Sequence, residues 1–412
     1  LGFNTLPQKS VNDRMTTGER QIVAFTGVAH GLNHAVELVY GAILAVVAIE
    51  FGVTIAALGV LGTISSLAYS GAALPAGATA DRFGSKNTVA ISMGGAGVAA
   101  LIAAISPNIQ VLGFALVLMG IFGGMYHPAG LSFISRTVRQ RARALGIHGA
   151  GGNLGTALAP FIAAAIAGVW SWRGAFLVFA LLSFIITLIA LRSSIGPDAN
   201  QADSLKPQHR AQSFLIPLIL IFVINASFGF IFRGLTLFLP LHLSTNLGLD
   251  VFGLKPVVVG GTVATVALLF GVLGQYIGGE LGERFQRERL IVPVVALTIP
   301  PLILMSFGAG WLLLVASSVF VFFNFMAQPT SVAMISDYTS ERLQGRAYGL
   351  TALTGFGLGS LAGVSGGILA DGPGVQWVFI MLAGSASLTL MCTLGINTYI
   401  LAKGDPEALP EG

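Results

Sequence analysis

Windows of about 20 apolar residues, the length that crosses roughly 30 Å of hydrocarbon, recur along this chain with polar punctuation between them. Twelve are counted, at 22–49, 54–79, 88–106, 109–135, 143–168 and 173–193, then 214–244, 256–281, 290–308, 310–336, 344–370 and 375–401. Their unbroken apolar length predicts helices; a barrel would show short alternating strands. The runs near 30 residues are expected to tilt or to extend past the hydrocarbon. Between the sixth and seventh lies GPDANQADSLKPQHRAQ, 196–212, which reads as a solvated linker. The expected organisation is a six-helix half at 1–194, a linker at 195–212 and a second six-helix half at 213–412.

Composition agrees with an all-α polytopic membrane protein. Of 412 residues, 54% are hydrophobic and 9% charged, against about 25% charged in soluble domains; mean hydropathy is +0.84. The 54 glycines suit helices whose backbones approach closely in lipid. A lone Cys392 gives neither a disulfide framework nor a cysteine metal site. The first apolar run is longer than a signal-peptide core and follows a polar stretch, so no cleavable signal is expected.

The distribution of charge sets an orientation. Of 21 Lys and Arg residues, all but Arg173, Lys255 and the intramembrane Arg233 fall on the side of the termini and linker. By the positive-inside rule, that side is expected to be cytoplasmic.

The two halves also repeat one another. GATADRFG at 77–84 returns about 202 residues later as GELGERFQ at 279–286, matching Asp81 with Glu283 and Arg82-Phe83 with Arg284-Phe285. YHPAGLSFIS at 126–135 meets AQPTSVAMIS at 327–336, and ARALG at 142–146 meets GRAYG at 345–349. An even number of spans separates each pair, so these are parallel repeats, an arrangement that places a substrate site at mid-membrane between pseudo-symmetric halves.

GATADRFGSKNTV, after the second span, resembles the glycine-aspartate-arginine-glycine loop of the major facilitator superfamily. That resemblance implies the major facilitator fold, with Asp81, Arg82 and their copies Glu283 and Arg284 as gate residues latching the halves. A narrower resemblance, to the fosmidomycin-resistance group of drug-proton antiporters, rests on His30 with Asn33, on YHPAG at 126–130 and on GGNLGTALAP at 151–160. The last is a variant of the span-five motif of antiporters, which implies gating roles for Asn153 and Pro160. The chain departs from that group in carrying His34 and Ala129 where acids are common.

The polar residues inside the spans carry the functional reading. His30, Asn33, His34 and Glu37 follow the i, i+3, i+4, i+7 rule and share one face, which cannot be a lipid face. Arg233 lies in span seven, the repeat partner of span one, at a depth similar to that of Glu37. A planar, permanent cation suits a carboxylate or phosphonate. Tyr126 and His127 in span four add polar points, and His30, His34 and His127 join Glu37 as proton carriers. His148, nearer the end of span five, is expected only to pack or hydrogen-bond, and His209 belongs to the linker.

The expected function is secondary active transport by alternating access: proton-coupled export of a small amphipathic or anionic compound across a bacterial inner membrane. The alternatives are a divalent metal-ion transporter using His30, His34 and Glu37, or an organic-anion symporter or uniporter. No nucleotide-binding loop and no nucleophile-base pair is present, so neither an enzyme nor a cofactor is expected, and no resident metal. The expected partners are a small-molecule substrate, protons and membrane lipid, with no nucleic acid; the chain is expected to be a monomer.

Overall fold

The computed structural model describes residues 15–138, 141–193, 215–248, 253–339, 350–351 and 353–403; the side chains at 81, 141–143, 283, 336 and 401–403 are outside that description. The linker at 195–212 and the GRAYG copy at 345–349 therefore lie outside the described residues. Among the described residues, twelve helices are long and apolar enough to cross a membrane: α1 Thr17–Ala42, α2 Ile55–Ala80, α3 Ser85–Ala104, α4 Ile109–Thr137, α5 Ala144–Val169, α6 Trp172–Arg192, α7 Leu215–Asn246, α8 Pro256–Gly282, α9 Arg287–Phe307, α10 Gly310–Ile335, α11 Leu353–Gly374 and α12 Gln376–Ile400. No strand occurs among the described residues. The near face is the one that bears the α2–α3 turn, and the far face bears the α1–α2 connection.

Side chains start these helices where lipid cannot. At the head of α1, Thr16 accepts from the Glu19 amide at 3.2 Å while Glu19 accepts from the Thr16 amide at 2.8 Å, a capping box. It sets the helix start at Thr17, five residues before the apolar run begins. On the far face Thr54, Asn108 and Ser171 cap α2, α4 and α6, each occupying one of the otherwise unpaired first-turn amides.

Breaks follow from proline and glycine. α4 is interrupted at Met125, between Ile109–Gly124 and Tyr126–Thr137, because Pro128 lacks an amide and its ring crowds the carbonyl of Gly124. α9 is interrupted at Leu297–Thr298, just before its Pro300-Pro301 pair. The α2–α3 turn needs Gly84, whose φ is +83°; at the repeat position Gln286 has φ −58°, so the two copies of the loop turn differently. α1 ends at Ala42, and a short helix, Leu44–Phe51, continues the chain beyond it. α11 opens with a π-helical turn at Leu353–Gly357 followed by a 3₁₀ turn at Leu358–Ser360.

Within the first half α1 packs on α5, α2 on α4 and α3 on α6; the second half repeats this, with α7 on α11, α8 on α10 and α9 on α12. The halves meet along α2–α11 and α5–α8, with α1 and α7 touching at the centre. Glycine makes the α1–α5 crossing possible. A Cβ on Gly155 would lie 2.0 Å from the Gly31 carbonyl oxygen, and one on Gly151 2.4 Å from that of Gly27. Gly151 and Gly155 of GGNLG therefore serve backbone-to-backbone contact.

Where the halves meet on the far face, charged side chains sit on helix ends. Asp371, at the end of α11, accepts from the Ile55 and Ala56 amides at the start of α2, at 2.9 and 2.5 Å. Lys255, just before α8, donates to the Gly168 carbonyl at the end of α5 at 2.6 Å.

Candidate functional site

The polar face of α1 points to the interior. Glu37 forms an ion pair with Arg233 of α7, joining the two halves at their centre, and the two side chains are only 13% and 9% exposed. Isolated charges at this depth are costly, so each supplies the counter-charge the other needs. The guanidinium also lies near two aromatic rings, 5.7 Å from the centroid of Tyr69 in α2 and 5.5 Å from that of Phe356 in the π turn of α11. The two rings are themselves 5.3 Å apart, so they form one aromatic wall beside the cation, within reach of cation-π attraction.

One turn below Glu37, four imidazoles gather. His34 Nδ1 is 3.6 Å from Glu37 Oε2. The ring centroids of His30 and His34 are 4.8 Å apart, those of His30 and His127 4.9 Å, and those of His34 and His127 5.2 Å. One nitrogen from each of these three lies within 4.8 Å of the others. His30 Nδ1 is 2.9 Å from the His148 carbonyl oxygen, which makes Nδ1 the protonated nitrogen and leaves Nε2 an unpartnered acceptor. The His30 ring occupies space that Gly152 leaves open, since a Cβ there would come within 2.3 Å of it. Tyr126 stacks on His30 at 5.6 Å and donates to the Thr26 carbonyl.

Asn33 donates to the Tyr69 hydroxyl at 3.3 Å; its own oxygen is buried without a partner. Above these residues is a cavity lined by Asn33, Glu37, Tyr69 and Arg233, with Ser65, Thr236 and Ser360 among the neighbours. It has about 60 Å³ of room for the centres of water molecules, enough for several waters.

The gate residues read from sequence lie elsewhere. The side chains of Asp81 and Glu283 are outside the described residues. The Arg82 guanidinium is 5.3 Å from the ring of its neighbour Phe83, and Arg284 pairs with Glu280 one turn earlier in α8, at 3.3 Å. Both contacts stay within one half. Asn153 does span the halves, donating to Gln275 of α8 at 2.7 Å, and Pro160 lies where Gly261 of α8 crosses α5, its carbonyl 2.5 Å from where a Cβ would be.

His148 packs, as expected, and its partner is another imidazole. Its ring stacks on His30 at 4.2 Å, inside the imidazole group, because α5 is held against α1 by the glycine crossing. Tyr69 and Phe356 were missed altogether. An aromatic in an apolar run carries no signal of its own, and only the packing of α2 and α11 brings these rings to Arg233.

With this geometry in place, comparison with known proteins is decisive for the family. The description of the Major Facilitator Superfamily matches residues 24–364 and 252–408. The chain belongs to that superfamily. It is 23% identical over 408 residues to the uncharacterised transporter YfnC of Bacillus subtilis, covering 96% of both chains. It is 25% identical over 243 residues to the multidrug resistance protein MdtG of Escherichia fergusonii, covering 56% of this chain and 57% of that one. Among solved structures, a bacterial homologue of the human lysosomal transporter Spinster, inward-facing and occupied, superimposes with a TM-score of 0.77 at 15% identity, over 95% of this chain and 100% of the other. The major facilitator fold, a transport function and the absence of an enzyme's role follow from the family; the narrower fosmidomycin-resistance group does not.

Proposed function

We propose that this transporter carries out proton-coupled export of a small anionic or amphipathic compound through a bacterial inner membrane, as a monomer with its termini and the 195–212 linker in the cytoplasm. The observation that carries the reading is the Glu37–Arg233 ion pair across the two halves. An anionic substrate that takes Arg233 displaces Glu37, and the displaced carboxylate takes up a proton. Loss of that proton lets Glu37 compete for the arginine again and expel the substrate. The groups around Glu37 that titrate or carry charge are His30 and His34 of α1, Tyr69 of α2, Tyr126 and His127 of α4, His148 of α5 and Arg233 of α7; the imidazoles give the proton a route along α1. The substrate competes with the Glu37 carboxylate for the arginine, so substrate binding and protonation of Glu37 favour one another, and the two are coupled because a ligand shifts an equilibrium only by its differential affinity for the two states. Similarity to a multidrug resistance protein supports export as the direction.

The two halves, 1–194 and 213–412, are the bodies that rock about the site. Asp81, Arg82, Glu283 and Arg284 act as near-face gate residues in the conformation open to the far face, and Asn153 and Pro160 act at the α5–α8 seam.

The test is transport in proteoliposomes with and without an imposed pH gradient. Glu37→Gln is expected to abolish gradient-driven accumulation while retaining substrate exchange, and Arg233→Ala to lose binding of an anionic substrate. Unchanged accumulation in Glu37→Gln would overturn the proton role. The grouping of His30, His34 and His127 nitrogens gives the metal-transport alternative its own arm. Zn²⁺ uptake that is lost in His30→Ala and His34→Ala would replace anion export as the reading.

A further inference from the structure

We infer that Asp371 and Lys255 are access-determining residues. Together they form a two-point clasp that holds the far face of the transporter shut by docking charges of matched sign onto helix ends of the opposite half.

The inference begins with backbone accounting. The first amides of a helix and its last carbonyls have no partner within the helix, and they carry partial positive and negative charge respectively. At the start of α2 the Ile55 and Ala56 amides are taken by the Asp371 carboxylate at 2.9 and 2.5 Å, and the Ala57 amide by Thr54 at 3.1 Å. At the end of α5 the Gly168 carbonyl accepts from Lys255 Nζ at 2.6 Å. An acid thus sits on an N-terminus and a base on a C-terminus, each the favourable sign.

The positions are equally specific. α2–α11 and α5–α8 are the two seams along which the halves meet, so each seam has one clasp, and both clasps are at its far-face end. Both charges come from the second half and both receiving helix ends from the first. The repeat offset of about 202 residues relates Lys255 to Val53 and Asp371 to Val169, so the first half supplies no charge in return. Below the Asp371 contact the seam is backbone on backbone, since a Cβ on Gly59 would be 2.2 Å from the Gly363 carbonyl oxygen and one on Gly367 2.7 Å from the Ala56 Cα. Opening the far face must pull these helices apart. That leaves two amides and a carbonyl at the helix ends to be rehydrated, together with two charged side chains.

Asp371→Ala and Lys255→Ala are expected to shift the access equilibrium toward the far-face-open state by about two- to five-fold each through the helix-end charge alone. Because the sites lie on different seams, the double variant should show about the product of the two. The readout is the labelling rate of Ser66→Cys on the cavity wall by a membrane-impermeant thiol reagent applied from the far face. Cys392 is replaced by Ala throughout, and folding is checked by thermal unfolding. The double alanine variant should label on the order of ten-fold faster. Asp371→Glu and Lys255→Arg should stay near the parent rate, while Lys255→Glu, with the wrong sign for a helix C-terminus, should label faster than Lys255→Ala. An unchanged rate in the double variant overturns the clasp, as does equal labelling of Lys255→Glu and Lys255→Arg. The isosteric Asp371→Asn supplies the same reading should an alanine variant fail to fold. None of these outcomes depends on which compound is carried or on proton coupling.

Discussion

Removing both members of the Glu37–Arg233 pair should cost far less than the sum of the two single removals. The side chains are 13% and 9% exposed, so either one left alone is an uncompensated charge in a low-dielectric setting, a loss of about 3–5 kcal/mol. For a chain of 412 residues at about 2.1 cal/mol/K per residue, the unfolding entropy is roughly 0.9 kcal/mol/K. Arg233→Met and Glu37→Gln should therefore each lower Tm by about 3–6 °C. The double variant Glu37→Gln/Arg233→Met removes both charges, and its loss should resemble that of a single substitution, well short of the roughly 6–12 °C expected for independent sites. The assay is thermal unfolding of the purified protein in one detergent, repeated with small carboxylates and phosphonates present. A stabilising anion should retain its effect in Glu37→Gln and lose it in Arg233→Met. Additive Tm losses in the double variant would refute the coupling, because they would mean that each charge is satisfied by other groups.

Gly155→Ala should destabilise by about 1–3 kcal/mol, because its Cβ would meet the Gly31 carbonyl at 2.0 Å, whereas Gly149→Ala in the same helix meets nothing within 4 Å and should be neutral or slightly stabilising in the same Tm assay. Asn153→Leu, which breaks the 2.7 Å bond to Gln275, should raise near-face thiol labelling of the cavity about two- to ten-fold, the range expected of a neutral hydrogen bond; an unchanged rate would remove Asn153 from the gate. Glu50 lies beyond α1 on the far face. Partial burial raises its carboxyl, but bonds from Trp172 Nε1 at 2.5 Å and from Arg173 outweigh this and leave it below the ordinary carboxylate value. A depressed acid contributes stability above its unfolded pKa, near 4.3, and the contribution is lost as pH falls through the lower folded value. Tm of the parent should therefore fall faster than that of Glu50→Gln below about pH 4.5, and parallel curves would contradict the assignment.

Much of this architecture is legible in the amino-acid order, because lipid imposes simple rules. Twelve apolar runs had to be helices, and four polar residues at helical spacing on α1 had to face protein. GGNLG announced close helix contact, and its partner on α1, Gly27 and Gly31, has the matching G-x-x-x-G spacing. The break in α4 before Pro128 does not show in the unbroken apolar run at 109–135. What stayed hidden depends on distant segments meeting. Phe356 and Tyr69 look like ordinary apolar-span residues until Arg233 lies near both. Arg173, an exception to the charge imbalance, pairs with Glu50 and contacts the Ser106 carbonyl at 2.9 Å. Asp371 and Lys255 escape a repeat search because valines occupy the corresponding sites near 53 and 169.

The π turn at Leu353–Gly357 gives α11 a freedom that its neighbours lack. Such a turn closes over one residue more than an α-helical turn requires, so it holds a spare residue in reserve. Passing that residue along the helix would rotate the stretch it crosses by about 100° and advance it by about 1.5 Å, while both ends of α11 stay where they are. Phe356 rides on that stretch. The ring beside the arginine can thus be wound away from the guanidinium and wound back like a bolt on its thread, whatever the two halves as whole bodies are doing.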